Sequence, residues 1–231
     1  MEKIIHKDDV VEVRGFLTKE ECQALIEYYE SDADSWQLTC FFNARVMDPL
    51  APWRSSNNET EIDEPYMRAL RQKFQELAED TFNKELKNLT LSSHKWLPGA
   101  FAGFHSDNTE LDGTPNAWQE NKLVTILYLN DDYDGGHLIF RDHPIDIAPE
   151  QGTVVVFDVG IDNVHGVTEV ESGSRWTMLA SFDYADSTYP PEYWELKQKE
   201  LEETAKVHEE QHSQWETDGI PEDGVLKLKD K

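Results

Sequence analysis

Between Leu89 and Tyr184 the chain changes character every few residues. Short runs with apolar side chains at alternate positions are cut by glycine, proline, aspartate and asparagine. Alternation is the period of a strand with one buried face. Turn residues at this spacing leave no room for helices between the strands. The runs are Leu89 to Trp96, Ala100 to His105, Leu123 to Leu129, His137 to Arg141, Ile145 to Ala148, Thr153 to Phe157, Val164 to Val170 and Arg175 to Tyr184. A succession of short antiparallel strands of this kind predicts a double-stranded β-helix, or jelly roll, with an open mouth suited to a pocket.

The flanks read as helices. Thr18 followed by Glu21 is a capping box, opening a helix with Cys22, Leu25, Ile26 and Tyr29 on one face. Asp63-Glu64-Pro65 starts a second, in which Met67, Leu70, Phe74, Leu77, Ala78 and Phe82 recur at steps of three and four. Both stripes should pack on the sheet. Ahead of them, Ile4 to Phe16 reads as one leading strand with a turn at Gly15. After Pro190-Pro191, charged helix formers from Glu192 to Glu216 suggest a terminal helix. Its stripe of Tyr193, Leu196, Leu201, Ala205, His208 and Trp215 would dock on the barrel or on a second subunit. The expected class is therefore mainly β with flanking helices. We read a single domain over 1–231: a strand and supporting helices in 1–88, a jelly-roll catalytic core in 89–185, a helix in 190–218 and a tail in 219–231.

Chemistry concentrates at His105-Ser106-Asp107, followed far downstream by His165 and Arg175. Residues i and i+2 of a strand share a face. His105 and Asp107 would then grip one metal ion from the end of one strand, with Ser106 facing away and His165 arriving from another. Two imidazoles and one carboxylate are the facial set that suits Fe(II) and leaves three positions open. Zinc on the same ligands, doing hydrolysis or isomerisation, is the rival reading. Arg175 suits the far carboxylate of a 2-oxo acid, which a planar guanidinium pairs in bidentate fashion. His94, His137 and His143 lack a matching acidic residue, downstream histidine and arginine, and read as surface or hydrogen-bonded residues. His208 and His212 share a helix face but lack a third ligand.

From Trp96 to Phe182 the pieces fall in a recognisable order. Leu97-Pro98-Gly99 precedes the H-x-D. Tyr128-Leu129-Asn130, Gly135-Gly136 with Phe140, Pro149, Gly152 and Val154-Val155-Val156-Phe157-Asp158 follow, then His165-Gly166-Val167 and Gly173-Ser174-Arg175-Trp176. This stretch resembles the catalytic core of the prolyl 4-hydroxylase-like Fe(II)/2-oxoglutarate-dependent dioxygenases. The resemblance implies His105, Asp107 and His165 as iron ligands, with 2-oxoglutarate and O2 as co-substrates. It implies Arg175 and Tyr128 as partners of the 2-oxoglutarate C5 carboxylate. Trp96 stands where the family often has a tyrosine. An indole donates one hydrogen bond and accepts none, so Trp96 is expected to line the cofactor pocket without copying that role. The implied activity is hydroxylation of a C–H bond, foremost of a prolyl residue in a peptide or protein, with release of succinate and CO2. A free amino acid or other small molecule is the alternative substrate. A non-catalytic jelly-roll metal-binding or sensing module is the alternative of another class. Asp107 argues against halogenation, since related halogenases lack that carboxylate.

Composition adds bounds. Lys and Arg number 21 against 47 Asp and Glu, a formal charge of −26. Such a surface repels phosphate backbones, so no nucleic-acid partner is expected. Solubility or a salt-rich habitat is the simplest reading of the charge; steering of a basic substrate is the other. Cys22 and Cys40 form no metal or disulfide framework. No signal peptide or membrane span is read, and a cytoplasmic protein is expected. Two irregular segments, Ser35 to Asn58 (with Trp36, Phe41, Phe42, Arg45, Trp53 and Arg54) and Ser106 to Asn121, are candidates for the substrate mouth.

Overall fold

The computed structural model describes the backbone of residues 1–31, 36–41, 44–49 and 65–218, and the side chains of 1–31, 65–203 and 206. The chain starts with β1 (Glu2–Lys7) and β2 (Val10–Arg14), then α1 (Lys19–Ser31). β3 (Trp36–Phe41), β4 (Ala44–Pro49) and α2 (Pro65–Phe82) lead into the strands of the core. These are β5 (Leu86–Trp96), β6 (Ala102–His105), β7 (Leu123–Tyr128), β8 (Asp134–Gly135), β9 (Leu138–Phe140), β10 (Asp146–Ile147), β11 (Val154–Asp158), β12 (His165–Val167), β13 (Val170–Ser172) and β14 (Arg175–Tyr184). A final helix, α3, runs Pro191–Asp218.

The strands pair antiparallel in two facing layers. The larger sheet has the order β1-β2-β11-β7-β14-β5-β4-β3 and the smaller β10-β9-β12-β6; β13 and β8 form a short ribbon. This is a jelly roll. Because both faces of the larger sheet are covered, its middle strand β7 is buried at every position. Leu123 and Leu127 face outward onto the helices, alongside Val13, Val154 and Met178. Val124, Ile126 and Tyr128 face the interior between the sheets, alongside Phe140, Val155 and Phe157.

Local chemistry explains the outer layer. The α1 capping box is closed: Thr18 N donates to Glu21 Oε2 at 2.8 Å and Glu21 N to Thr18 Oγ1 at 3.2 Å. Cys22, Leu25, Ile26 and Tyr29 are buried, and burial pushes the Cys22 thiol up to about 11, which keeps it protonated and inert. On α2, Met67, Leu70, Phe74, Leu77 and Ala78 are buried, and Phe74 stacks on Phe16 with centroids 5.0 Å apart.

Two expectations need correction. The leading strand is a hairpin, β1 and β2, because Asp8-Asp9 supplies turn chemistry inside the run. Val164 to Val170 splits into β12 and β13, since Thr168 N donates to His137 O and Glu169 O accepts from Gly136 N, turning the chain onto β8. Among the described side chains of α3, Tyr193 and Lys197 are buried, while Trp194, Leu196 and Leu201 are exposed. Ala205, His208, His212 and Trp215 have side chains outside the described set, as do the aromatic and arginine residues of Ser35 to Asn58. Among the described residues no helix is long and apolar enough to cross a membrane.

The fold rests on the seam between α2 and the larger sheet. Truncating Phe74 to alanine, at 0% exposure, removes a whole ring and leaves a cavity. A loss of about 3–5 kcal/mol is expected, read as a lower urea midpoint at unchanged slope.

Candidate active site

β6 and β12 are neighbours in the smaller sheet, and their register sets His105 directly opposite His165. The two strands pack closely at Gly166, where a Cβ would stand 2.8 Å from Ala102 O. The rings consequently lie side by side, centroids 4.4 Å apart. Asp107 sits just beyond the last residue of β6 rather than on it. Its N–H donates to Val159 O at 3.2 Å, and Ser106 turns away to donate to the same carbonyl at 2.9 Å. Asp107 Oδ1 then stands 3.3 Å from His105 Nε2 and 3.8 Å from His165 Nε2. Among the described residues this is the one cluster of histidine, cysteine and carboxylate groups able to hold a metal ion, its ligand atoms within 4.8 Å of one another.

The protons are arranged for a cation. His105 Nδ1 faces Gly103 O at 2.7 Å and His165 Nδ1 faces Asn163 O at 3.0 Å. A carbonyl only accepts, so Nδ1 carries the proton in each ring and Nε2 is turned toward Asp107. Burial pushes His165 down to about 4, aided by the charge of His105 and opposed by Asp107. At neutral pH its Nε2 is therefore a bare lone pair. Burial alone would raise the Asp107 carboxyl, but its contacts with His105 and His165 hold it below the usual carboxylate range. Two imidazole nitrogens and an ionised carboxylate converging in this way fit a ferrous ion with open positions.

The opposite wall carries the other charge. Arg175 opens β14, is 1% exposed, and looks into the interior with Thr177 and Ser181. Its Nη2 donates to Tyr128 Oη at 3.3 Å. The guanidinium carbon lies 4.9 Å from the ring centroids of both Trp96 and Tyr128, which hold it between two π faces. Trp96 Nε1 donates to Thr177 Oγ1 at 3.2 Å, so the single donor of the indole is already engaged and Trp96 serves as a wall. Among the described residues no carboxylate pairs with Arg175, and its Nε lacks a hydrogen-bond partner. Glu12, buried on β2, is taken by Arg14 and His6. A buried guanidinium in this condition is costly unless an anion enters. Tyr128 and Tyr133 both stay as hydroxyl donors: burial raises each against the opposing pull of Arg175, Tyr133 up to about 12. Gly136 makes room for the arginine. A Cβ there would meet Arg175 Cδ at 2.8 Å, at a φ of +65° that disfavours any side chain.

Both groups of residues face one interior. His165 packs edge-on against Phe157 at 4.8 Å, and Phe157 belongs to the same apolar cluster as Tyr128. The other histidines named from sequence lie elsewhere. His137 pairs with Asp146 at 2.7 Å on the surface, just before β9, and His143 bonds Asp162 O. His94 stands edge-on to Trp96. The loop after Asp107 is braced internally: Asn116 Nδ2 donates to Asp107 O at 3.3 Å and Asn108 Nδ2 to Asn121 O at 2.7 Å. Its far end is tied to α3, where Lys197 pairs with Glu120 and lies over Trp118. Thr177, Tyr133 and the carbonyls of Gly103 and Asn163 escaped the sequence reading. Carbonyl acceptors have no residue signature, and Thr177 and Tyr133 gain meaning only once Arg175 is placed.

Comparison with known proteins adds an independent line. The profile of the 2OG-Fe(II) oxygenase superfamily matches residues 91–182. Prolyl 3-hydroxylase 2 of Homo sapiens is 33% identical over 132 residues, covering 52% of this chain and 18% of that protein. The chain thus spans only a small part of that relative's length. Among solved structures, the viral collagen prolyl hydroxylase of Paramecium Bursaria Chlorella virus-1, in its 2OG complex, superposes with a TM-score of 0.57 at 16% identity, over 77% of this chain and 96% of that one. A Pseudomonas putida prolyl-4-hydroxylase superposes with a TM-score of 0.55 at 20% identity, over 76% and 92%. These structural likenesses speak for the fold, and the profile speaks for the sequence of the core. Residues 91–182 thus resemble the 2OG-Fe(II) oxygenase superfamily in sequence, and the fold is one shared with solved prolyl hydroxylases.

Proposed function

We propose that this chain hydroxylates a C–H bond of a prolyl residue in a peptide or protein, consuming 2-oxoglutarate and O2 and releasing succinate and CO2. The observation that carries the reading is the coexistence, in one interior, of a two-histidine, one-carboxylate cluster and a buried arginine that, among the described residues, has no carboxylate partner. Bound Fe(II) supplies the oxidising chemistry that places one oxygen atom of O2 in the substrate and the other in succinate.

The residues divide the work. His105, Asp107 and His165 hold the metal from one side and leave its other positions open. Arg175 takes the C5 carboxylate of 2-oxoglutarate, with Tyr128 donating a hydrogen bond from the same wall. Trp96 and Tyr128 keep the guanidinium flat, and Thr177 keeps Trp96 in place. The apolar lining around Phe140, Val155 and Phe157 excludes water, which strengthens the charge pairing at Arg175. The prolyl hydroxylase names of the relatives support the substrate class. The charge of −26 supports a basic peptide over an acidic one, through faster encounter at low salt.

An anaerobic titration with Fe(II) and then 2-oxoglutarate tests the reading directly. The weak visible charge-transfer band of a chelated 2-oxo acid should develop in the wild type and be lost in His105→Ala. Absence of the band in a folded protein that binds iron would overturn the 2-oxoglutarate assignment. Succinate release should rise with a proline-containing basic peptide that itself gains one oxygen atom; succinate without peptide oxidation would shift the substrate to a free amino acid or other small molecule.

Two substitutions test the anion pocket. Arg175→Met should leave the ligand-free protein as stable as the wild type within about 1 kcal/mol, because it removes a desolvated charge along with its cation–π contacts. The rise in melting temperature that 2-oxoglutarate gives the metal-loaded wild type should vanish in it. Gly136→Ala should weaken 2-oxoglutarate binding at least tenfold by pushing Arg175 aside, with metal affinity unchanged in a chelator competition.

A further inference from the structure

Asn163 is 1% exposed and ends a short 3-10 turn, Ile161–Asn163, two residues before His165. Its carbonyl receives the His165 Nδ1 proton at 3.0 Å. Its side chain is fully engaged: Nδ2 donates to Asp158 O at 3.0 Å and to Asp9 Oδ2 at 2.9 Å, and Oδ1 accepts from Lys7 Nζ at 2.9 Å. Lys7 also pairs with Asp9, Nζ to Oδ1 at 3.1 Å. The main chain joins in, with Asp158 N donating to Asp9 O at 3.2 Å and Asn163 N to Gly160 O at 2.9 Å. Lys7 and Asp9 flank the tip of the β1–β2 hairpin, far away in sequence and outside the 91–182 stretch.

We propose that Lys7, Asp9 and Asn163 form the device that orients His165, making the N-terminal hairpin a working part of the metal centre. The inference rests on the metal-site reading above. A histidine ring is free to rotate unless its second nitrogen is held. Here the holding carbonyl belongs to a residue whose side chain is clamped on three sides, two of them by an ion pair from another element. Closing the turn needs only the Asn163 N–H; the remaining bonds fix where its carbonyl points. These are positioning residues: none of them contributes a ligand atom to the cluster.

The experiment measures Co(II) and Fe(II) affinity by chelator competition, with the visible spectrum of the Co(II) form and the melting temperature of each variant. Asn163→Ala and Asp9→Ala keep the carbonyl but free its direction, and should bind metal up to about 10-fold more weakly, the low end of the range for disturbing the partner of a ligand histidine. The Co(II) bands should shift as the ring turns. Asp9→Asn, which keeps an oxygen toward Asn163 Nδ2, should recover most of the affinity. Lys7→Met is the partly exposed variant least able to disturb folding, and it should show a smaller loss of the same sign. Wild-type affinity and an unshifted spectrum in folded Asp9→Ala and Lys7→Met would overturn the proposal. A wild type that binds no metal, or binds it equally well as His105→Ala, would instead overturn the metal site itself, and that failure is recognisable because it needs none of the hairpin variants.

Discussion

Everything in the site depends on the pairing of β6 with β12. That pairing puts His105 opposite His165 and leaves Asp107 one step past the strand end, free to fold back between the rings. Cross-strand neighbours stand about 5 Å apart, a spacing fixed by backbone hydrogen bonds. The metal cluster therefore inherits its geometry from the sheet rather than from flexible side chains. The small residue at Gly166 lets the strands come close enough for the rings to touch. Carbonyl acceptors two residues before each histidine, Gly103 on β6 and Asn163 in the turn before β12, then set both tautomers.

The second constraint is the cost of Arg175. Among the described residues the buried guanidinium has no carboxylate partner; it loses its hydration and gains the hydroxyls of Tyr128 and Tyr133 and two ring faces in return. Its neighbours limit that cost without removing it. On the proposed function an entering dicarboxylate relieves this state, which links co-substrate binding to the stability of the barrel. The cavity walls are correspondingly stiff: Trp96 is locked by Thr177, and Gly136 is the only residue type that clears the arginine's path.

Elements outside the barrel core brace it from two sides. The N-terminal hairpin reaches the His165 turn through Lys7, Asp9 and Asn163. The start of α3 reaches the loop after Asp107 through Lys197, Glu120 and Tyr193, whose hydroxyl donates to Ala117 O at 3.3 Å. Metal ligands at the end of one strand and the start of another are thereby tied to segments remote in sequence, which limits how far either can drift when the pocket is empty.

Patterns that depend on neighbours a few residues apart were legible in the chain itself. The alternation of Val124, Ile126 and Tyr128, the Thr18–Glu21 cap, the helical stripe from Met67 to Ala78 and the His105-x-Asp107 pair all rest on local periodicity or short spacing, while His165 and Arg175 joined them through the order of motifs along the chain. Partition was not legible. β5 and β6 follow one another across a tight turn yet lie in different sheets, and Ile4 to Phe16 folds back on itself because hairpin tip and strand interior compete within one run. Leu196 and Leu201 fit a helical stripe yet are exposed, because helical period by itself does not say which face meets a neighbour. The sequence by itself determined which residues could ligate, bury or cap, because those are properties of side-chain chemistry and local period. Only the tertiary structure decided that Thr177 accepts the indole hydrogen bond, that Arg175 lies between two rings, and that Asp9 reaches Asn163. Each of these contacts joins residues on separate strands or loops, and such distances are set by packing alone.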